Sequence, residues 1–92
     1  MLGAIASTIY DKLSAAFSPT RLEVEDDSAR HHGHAGATPG GESHFNVAIE
    51  AAHFKGLSRI QRQRAVLAAL SEELAGPVHA LSIKARAPGE AA

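Results

Sequence analysis

The chain has 92 residues, 45% hydrophobic and 21% charged, and a net charge of −1 with histidine neutral. That suits one ordinary globular domain, and the near-neutral balance excludes a global field for nucleic acid or acidic lipid, so any such attraction has to come from a local patch. With no cysteine, disulfides and thiolate metal sites built by this chain alone are excluded; an iron–sulfur cluster could be held only through histidine or carboxylate, with thiolates from a partner.

The opening MLGAIASTIYDKLSAAF has a short apolar run, broken by Ser7, Thr8 and Tyr10 and preceded by no basic residue. It reads as a helix rather than a targeting signal. No stretch approaches the length of a membrane span, and the expected location is cytoplasmic. Within residues 3–17, Ile5, Ile9, Leu13 and Phe17 recur at intervals of four, which predicts an amphipathic helix ended by Ser18-Pro19. Arg21 to Glu25 alternates and predicts a short strand with Leu22 and Val24 inward, closed by the acidic Glu25-Asp26-Asp27.

Residues 28–43, SARHHGHAGATPGGES, carry four glycines, a proline and three histidines. Such a segment cannot pack a core, and it is a long connection for a compact domain, of the kind that is usually functional or disordered. From His44 the alternation is strict: Phe45, Val47, Ile49 and Ala51 point one way, and His44, Asn46, Ala48 and Glu50 the other. The loop therefore joins an antiparallel pair.

The turn Phe54-Lys55-Gly56 leads to Ser58, an N-cap, and a helix over 57–75 with Ile60, Leu67, Leu70 and Leu74 along one side. Gln63 falls in that stripe, which predicts two helical pieces with a break near Arg62–Arg64. Gly76-Pro77 stops the second piece. A last strand is expected from Val78 to Lys84, with His79, Leu81, Ile83 and Ala85 sharing a face. The closing APGEAA has nothing to bury and is expected to fray, giving one domain over residues 1–88 and a tail over 89–92. Helix, strand, strand, helix, helix, strand is an α+β order with helices on one sheet face.

Several segments follow one another in order: Leu22-Glu23-Val24 to Asp27-Ser28, His31-His32-Gly33-His34-Ala35-Gly36, Gly41-Glu42-Ser43-His44-Phe45, Phe54-Lys55-Gly56-Leu57-Ser58 with Arg62-Gln63-Arg64, Glu73-Leu74, and Gly76-Pro77-Val78-His79-Ala80-Leu81. Taken together, they resemble the BolA family over nearly the whole chain. The resemblance implies a small fold like the type II KH domain, with a three-stranded mixed sheet whose third strand is parallel to the first. It also implies a heterodimer with a monothiol glutaredoxin of the CGFS type and a shared [2Fe–2S] cluster, the apo form being a monomer. Some bacterial relatives are described as DNA-binding regulators of morphology and stress genes.

The histidines are where the resemblance and the bare residues meet. By parity alone His79 is a strand-start histidine facing inward beside Leu81 and satisfied by a backbone carbonyl. The resemblance makes it a cluster ligand, together with one residue of the loop after the first strand. Counting forward from Asp27-Ser28 favours His31; counting back from Glu42-Ser43-His44-Phe45 favours His34; His32 is the third candidate. The glutaredoxin would supply cysteine and glutathione thiolates, leaving positions that imidazole can fill. Neutral histidine makes the cluster less negative, raises its potential and makes the Fe–N bond pH-dependent, which suits transfer or sensing. His44 reads as a surface or hairpin residue and His53 as a turn residue. A mononuclear zinc site in the loop is a further reading, although HHxH is not the spacing of known zinc modules.

Lys55, Arg59, Arg62 and Arg64 surround a turn that resembles a helix-turn-helix, whose recognition helix would set arginine against guanine or phosphate. KH modules instead clamp single strands on a GXXG loop, and the stretch Lys55-Gly56-Leu57-Ser58-Arg59-Ile60 has one glycine and no such motif. The plain alternative is a solvated basic face or a surface meeting an acidic partner. No nucleophile is placed beside a histidine, and there is neither a phosphate loop nor a framed carboxylate pair. The expectation is a non-enzymatic protein.

Overall fold

A computed structural model describes residues 3–27 and 43–90. The elements are α1 (Ala4–Phe17), β1 (Arg21–Asp26), β2 (His44–Glu50), a single 3-10 turn (Ala52–Phe54), α2 (Arg59–Ala69), α3 (Ser71–Ala75) and β3 (Ala80–Arg86). The α+β order is as expected, and the sheet is mixed.

The strand order is β1-β2-β3, with β2 antiparallel to β1 and parallel to β3. The third strand is thus parallel to the second, not to the first. The physical reason lies in β2, whose alternate residues Phe45, Val47 and Ile49 are all buried. It takes the centre, and a strand reached through helices docks parallel on its remaining edge. Val24, Val47 and Ile83 fall in one cross-strand row, and Leu22, Ile49 and Ala85 in the next. These rows face Ile9 and Leu13 of α1, Phe54, Val66 and Leu70, which are 0–1% exposed and complete the core.

The α1 stripe behaves as its spacing says, with Ala6, Ile9 and Leu13 buried and Ile5 and Phe17 packed at its margins. Ser18 then turns the chain in a left-handed conformation. At Gly56 φ is +81°, a conformation that strains any L side chain, and the turn into α2 requires it. Ser58 caps α2 through a capping box: its hydroxyl accepts from Gln61 N–H at 3.1 Å, and its own N–H donates to Gln61 Oε1 at 2.8 Å.

Three expectations for the second half are corrected. The helix breaks at Leu70 rather than near Arg62–Arg64. The cap sets a phase in which Arg62, Val66 and Leu70 face inward, so Ile60, about 200° round the helix from Arg62, is 62% exposed and Leu67 is also exposed. Gln63 then sits at the boundary, half-buried, and causes no break. The last strand runs from Ala80 to Arg86, two residues later than expected. His79 therefore precedes it and is exposed instead of facing the core.

The chain after β3 also differs from the expected frayed tail. Ala87 is buried, and Glu90 forms a two-pronged ion pair with Arg62 at 2.6 and 2.8 Å while accepting from Ala87 N–H. These contacts carry packed structure as far as Glu90; residues 91–92 lie outside the described residues. Among the described residues no helix is long and apolar enough to cross a membrane.

Candidate functional site

The end of the sheet where β2 and β3 begin is built around Ser43. Its carbonyl accepts from the N–H of His79 at 2.7 Å and of Ala80 at 3.2 Å, which locks the start of β3 beside the start of β2. Its side chain is buried, and its Oγ is hydrogen-bonded to His44 Nδ1 at 2.9 Å. Because His44 is paired with Ala80 in the parallel register, the half-buried His44 ring lies beside exposed His79, with centroids 6.3 Å apart. On the β1 side, Asp27 N–H donates to the His44 carbonyl at 2.7 Å. A shallow cavity of about 210 Å³ is lined here by Asp27, His44, Asn46, Ala80 and Ser82 among others.

Residues 28–42, with His31, His32 and His34, lie outside the described residues. Their attachment points, Asp27 and Ser43, both sit at this same end, one bonded to His44 and the other to His79. Among the described residues no group of three or more His, Cys, Asp or Glu could hold a metal ion. His79 offers an exposed imidazole on a fixed backbone.

His44 is the residue that sequence reasoning missed. Its strand parity marks it correctly as outward, but its neighbour is set by the β2–β3 register, which joins residues far apart in the chain. His53 is exposed, as a turn residue should be, and its ring meets Phe17 edge-on at 5.1 Å.

The four cations of the other candidate site part company. Arg62 is drawn into the fold: its side chain is 14% exposed, its Nε donates to the Leu57 carbonyl at 3.0 Å, and its guanidinium grips Glu90. That pairing raises the Arg62 pKa, and it holds the Glu90 carboxyl down at about 2, helped by the Ala87 N–H. Lys55, Arg59 and Arg64 are exposed, and none is in an ion pair among the described residues. A larger cavity of about 510 Å³ opens near Arg59, Lys84 and Arg86 at the opposite end of the sheet from His79. Arg86 is itself committed to Glu50 at 2.9 Å, and Glu50 also accepts from Thr20.

Residues 13–90 match the family described as BolA-like protein. The chain is 50% identical over 90 residues to BolA-like protein 1 of Bos taurus, covering 98% of this chain and 64% of that protein. It is 43% identical over 79 residues to the DNA-binding transcriptional regulator BolA of Escherichia coli (strain K12), covering 86% of this chain and 71% of that one. Among solved structures, the BolA domain of SufE1 from Arabidopsis thaliana superposes with a TM-score of 0.89 at 41% identity, over 99% of this chain and 100% of that one. The chain spans just under two thirds of the length of the mammalian relatives it matches, 64% of the bovine and 62% of the human protein. With the family matched over most of its length and the fold matched throughout, the chain belongs to the BolA-like family.

Proposed function

We propose that this protein is a non-enzymatic cytoplasmic adaptor that binds a CGFS monothiol glutaredoxin and co-ligates a [2Fe–2S] cluster, for iron–sulfur trafficking or iron signalling. The observation that carries the reading is His79: an exposed imidazole on a backbone fixed by the Ser43 carbonyl, at the end of the sheet where the described residues stop at Asp27 and resume at Ser43. His79 and one of His31, His34 or His32 would hold the cluster from this side, and thiolates from the glutaredoxin and glutathione from the other. When bound, the cluster supplies a one-electron centre that can be passed on, with a potential raised by neutral nitrogen ligands. The chain's part is to present imidazole without contributing charge, from a backbone position that is held in place. Because an imidazole must be neutral to ligate, the union should loosen in acid.

The test is a titration. A cluster is reconstituted on a CGFS glutaredoxin with glutathione, this protein is added, and visible absorbance and circular dichroism are followed. A spectral change that saturates at one equivalent and is absent with His79→Ala is the expected result. His31→Ala, His34→Ala and His32→Ala then identify the loop ligand as the variant that also abolishes the change. An unchanged glutaredoxin spectrum with no complex on gel filtration overturns the reading.

A second reading, a DNA-binding transcriptional regulator, is favoured by the E. coli relative's name and by the exposed Lys55, Arg59 and Arg64 beside the turn at Gly56. With Arg62 committed to Glu90, the contacts would fall to these three cations, and binding would be modest and salt-sensitive.

A further inference from the structure

We propose that the free edge of β3 is a docking site for an acidic, extended segment of another protein, which adds to the sheet as a further strand. β3 pairs with β2 alone, and two bonds fix which of its backbone groups that pairing uses. Ala80 N–H donates to the Ser43 carbonyl at 3.2 Å, and the Arg86 carbonyl accepts from Ala51 N–H at 3.0 Å. Successive strand residues turn their N–H and C=O to opposite edges. Ala80, Ser82, Lys84 and Arg86 therefore face β2, and Leu81, Ile83 and Ala85 present theirs outward. Arg62 Nη1 meets the Ala85 carbonyl at 3.4 Å, which closes that end of the edge. Among the described residues the outward groups of Leu81 and Ile83 have no partner.

The surroundings of this edge say what the segment is. The cavity of about 510 Å³ reaches from β3 to α2, with Ile83, Lys84 and Ala85 on one side and Arg59 and Gln63 on the other. Lys84 and Arg59 are exposed and in no ion pair among the described residues, whereas their neighbours Arg62 and Arg86 are held by Glu90 and Glu50. Two uncommitted cations beside an open edge call for carboxylates. Ile60, 62% exposed, and Leu67, also exposed, lie one turn before and after Gln63 on α2. The side chains of an added strand alternate between the two faces of the sheet, so one set meets this apolar surface and the other meets Lys84. A nucleic acid answers the edge poorly. The carbonyls of Leu81 and Ile83 require donors at peptide spacing, and phosphates bring only acceptors.

The experiment uses the full chain alone, without glutaredoxin or cluster, so it can fail while the cluster reading stands, and the reverse. A fluorescein-labelled peptide of alternating glutamate and valine, blocked at both ends, is titrated in at neutral pH. Binding is read by anisotropy and located by amide hydrogen exchange. The expected result is binding that weakens with added salt, slowed exchange at Leu81 and Ile83, and no binding by the lysine–valine counterpart. Methylating the peptide nitrogens of the glutamates or of the valines removes the donors of one strand edge at a time and leaves the charge. One of these two peptides should lose about tenfold in affinity, and the other should bind as the parent does. Lys84→Gln and Arg59→Gln should each cost about threefold. Absence of binding, equal binding by both methylated peptides, or slowed exchange confined to residues outside β3 overturns the proposal. So does a single-stranded oligothymidylate that binds this edge more tightly than the peptide. Protection of Leu81 and Ile83 that rises with protein concentration in the absence of peptide would assign the edge to a second copy of this chain and overturn it equally.

Discussion

Removing the Ser58 hydroxyl should cost the fold about 1 kcal/mol, the usual weight of an N-cap serine replaced by alanine. The structure justifies the full value. Ser58 Oγ accepts from Gln61 N–H at 3.1 Å, and Gln61 Oε1 accepts from Ser58 N–H at 2.8 Å, so two backbone donors at the start of α2 depend on one pair of side chains. For a domain of this size about 1 kcal/mol lowers the melting temperature by about 4–8 °C. Ser58→Gly should cost only a few tenths of a kcal/mol, since an uncapped glycine leaves the donors open to water. Gln61→Ala removes the return bond, but the box acts as a unit, so the double variant should lose less than the sum of the singles. Thermal denaturation followed by far-UV circular dichroism measures the four variants and the wild type. A Ser58→Ala protein that melts within about 1 °C of wild type would refute the capping assignment, and so would glycine proving as costly as alanine.

Three other outcomes follow from the same structure. The Glu90 carboxyl is held at about 2 against an ordinary 4.5 by Arg62 and the Ala87 N–H, so its contribution to stability is fully present above about pH 4.5 and is lost as pH falls through about 2; the stability gap between wild type and Glu90→Gln should close across that window in urea titrations, and a gap unchanged at pH 2 would be contrary. Lys12 meets Glu72 at 2.9 Å and Glu73 at 2.8 Å, and Glu73, whose side chain is 11% exposed, depends on it. Lys12→Met alone should lower the melting temperature by stranding that carboxylate, and adding Glu73→Leu should recover part of the loss, because a half-buried pair is replaced more safely than halved; a double variant less stable than the single would be contrary. If DNA is bound at all, Arg59→Gln and Arg64→Gln should each flatten the dependence of log K on log salt by about 0.9, as read by fluorescence anisotropy, whereas Arg62→Gln should act mainly by loosening the fold.

What could be read from the sequence was local, and what could not depended on partners far along the chain. The alternation from Phe45 to Ile49 was legible because β2 is the central strand and one of its faces is wholly buried. Ser58 was legible because a cap and its partner are three residues apart. The inward face of α2 was misread because an arginine occupies it. Nothing near Arg62 announces that Glu90 and the Leu57 and Ala85 carbonyls will receive its guanidinium. Without that, Ile60 and Leu67 look like the apolar stripe. The same partnership pins the segment after β3, which its composition alone gave no reason to order. At the histidine end, His79 is singled out by its VHAL setting, while the approach of His44 follows only once β3 is known to lie parallel on β2.

The central claim is that His79 puts nitrogen on iron. The most direct measurement is pulsed electron paramagnetic resonance of the reduced complex, prepared with this chain labelled with nitrogen-15 in its histidines and an unlabelled glutaredoxin. The account predicts strong couplings to two labelled imidazole nitrogens, both of which disappear with His79→Ala. A spectrum with no labelled nitrogen bound to iron, or one that His79→Ala leaves unchanged, would contradict it.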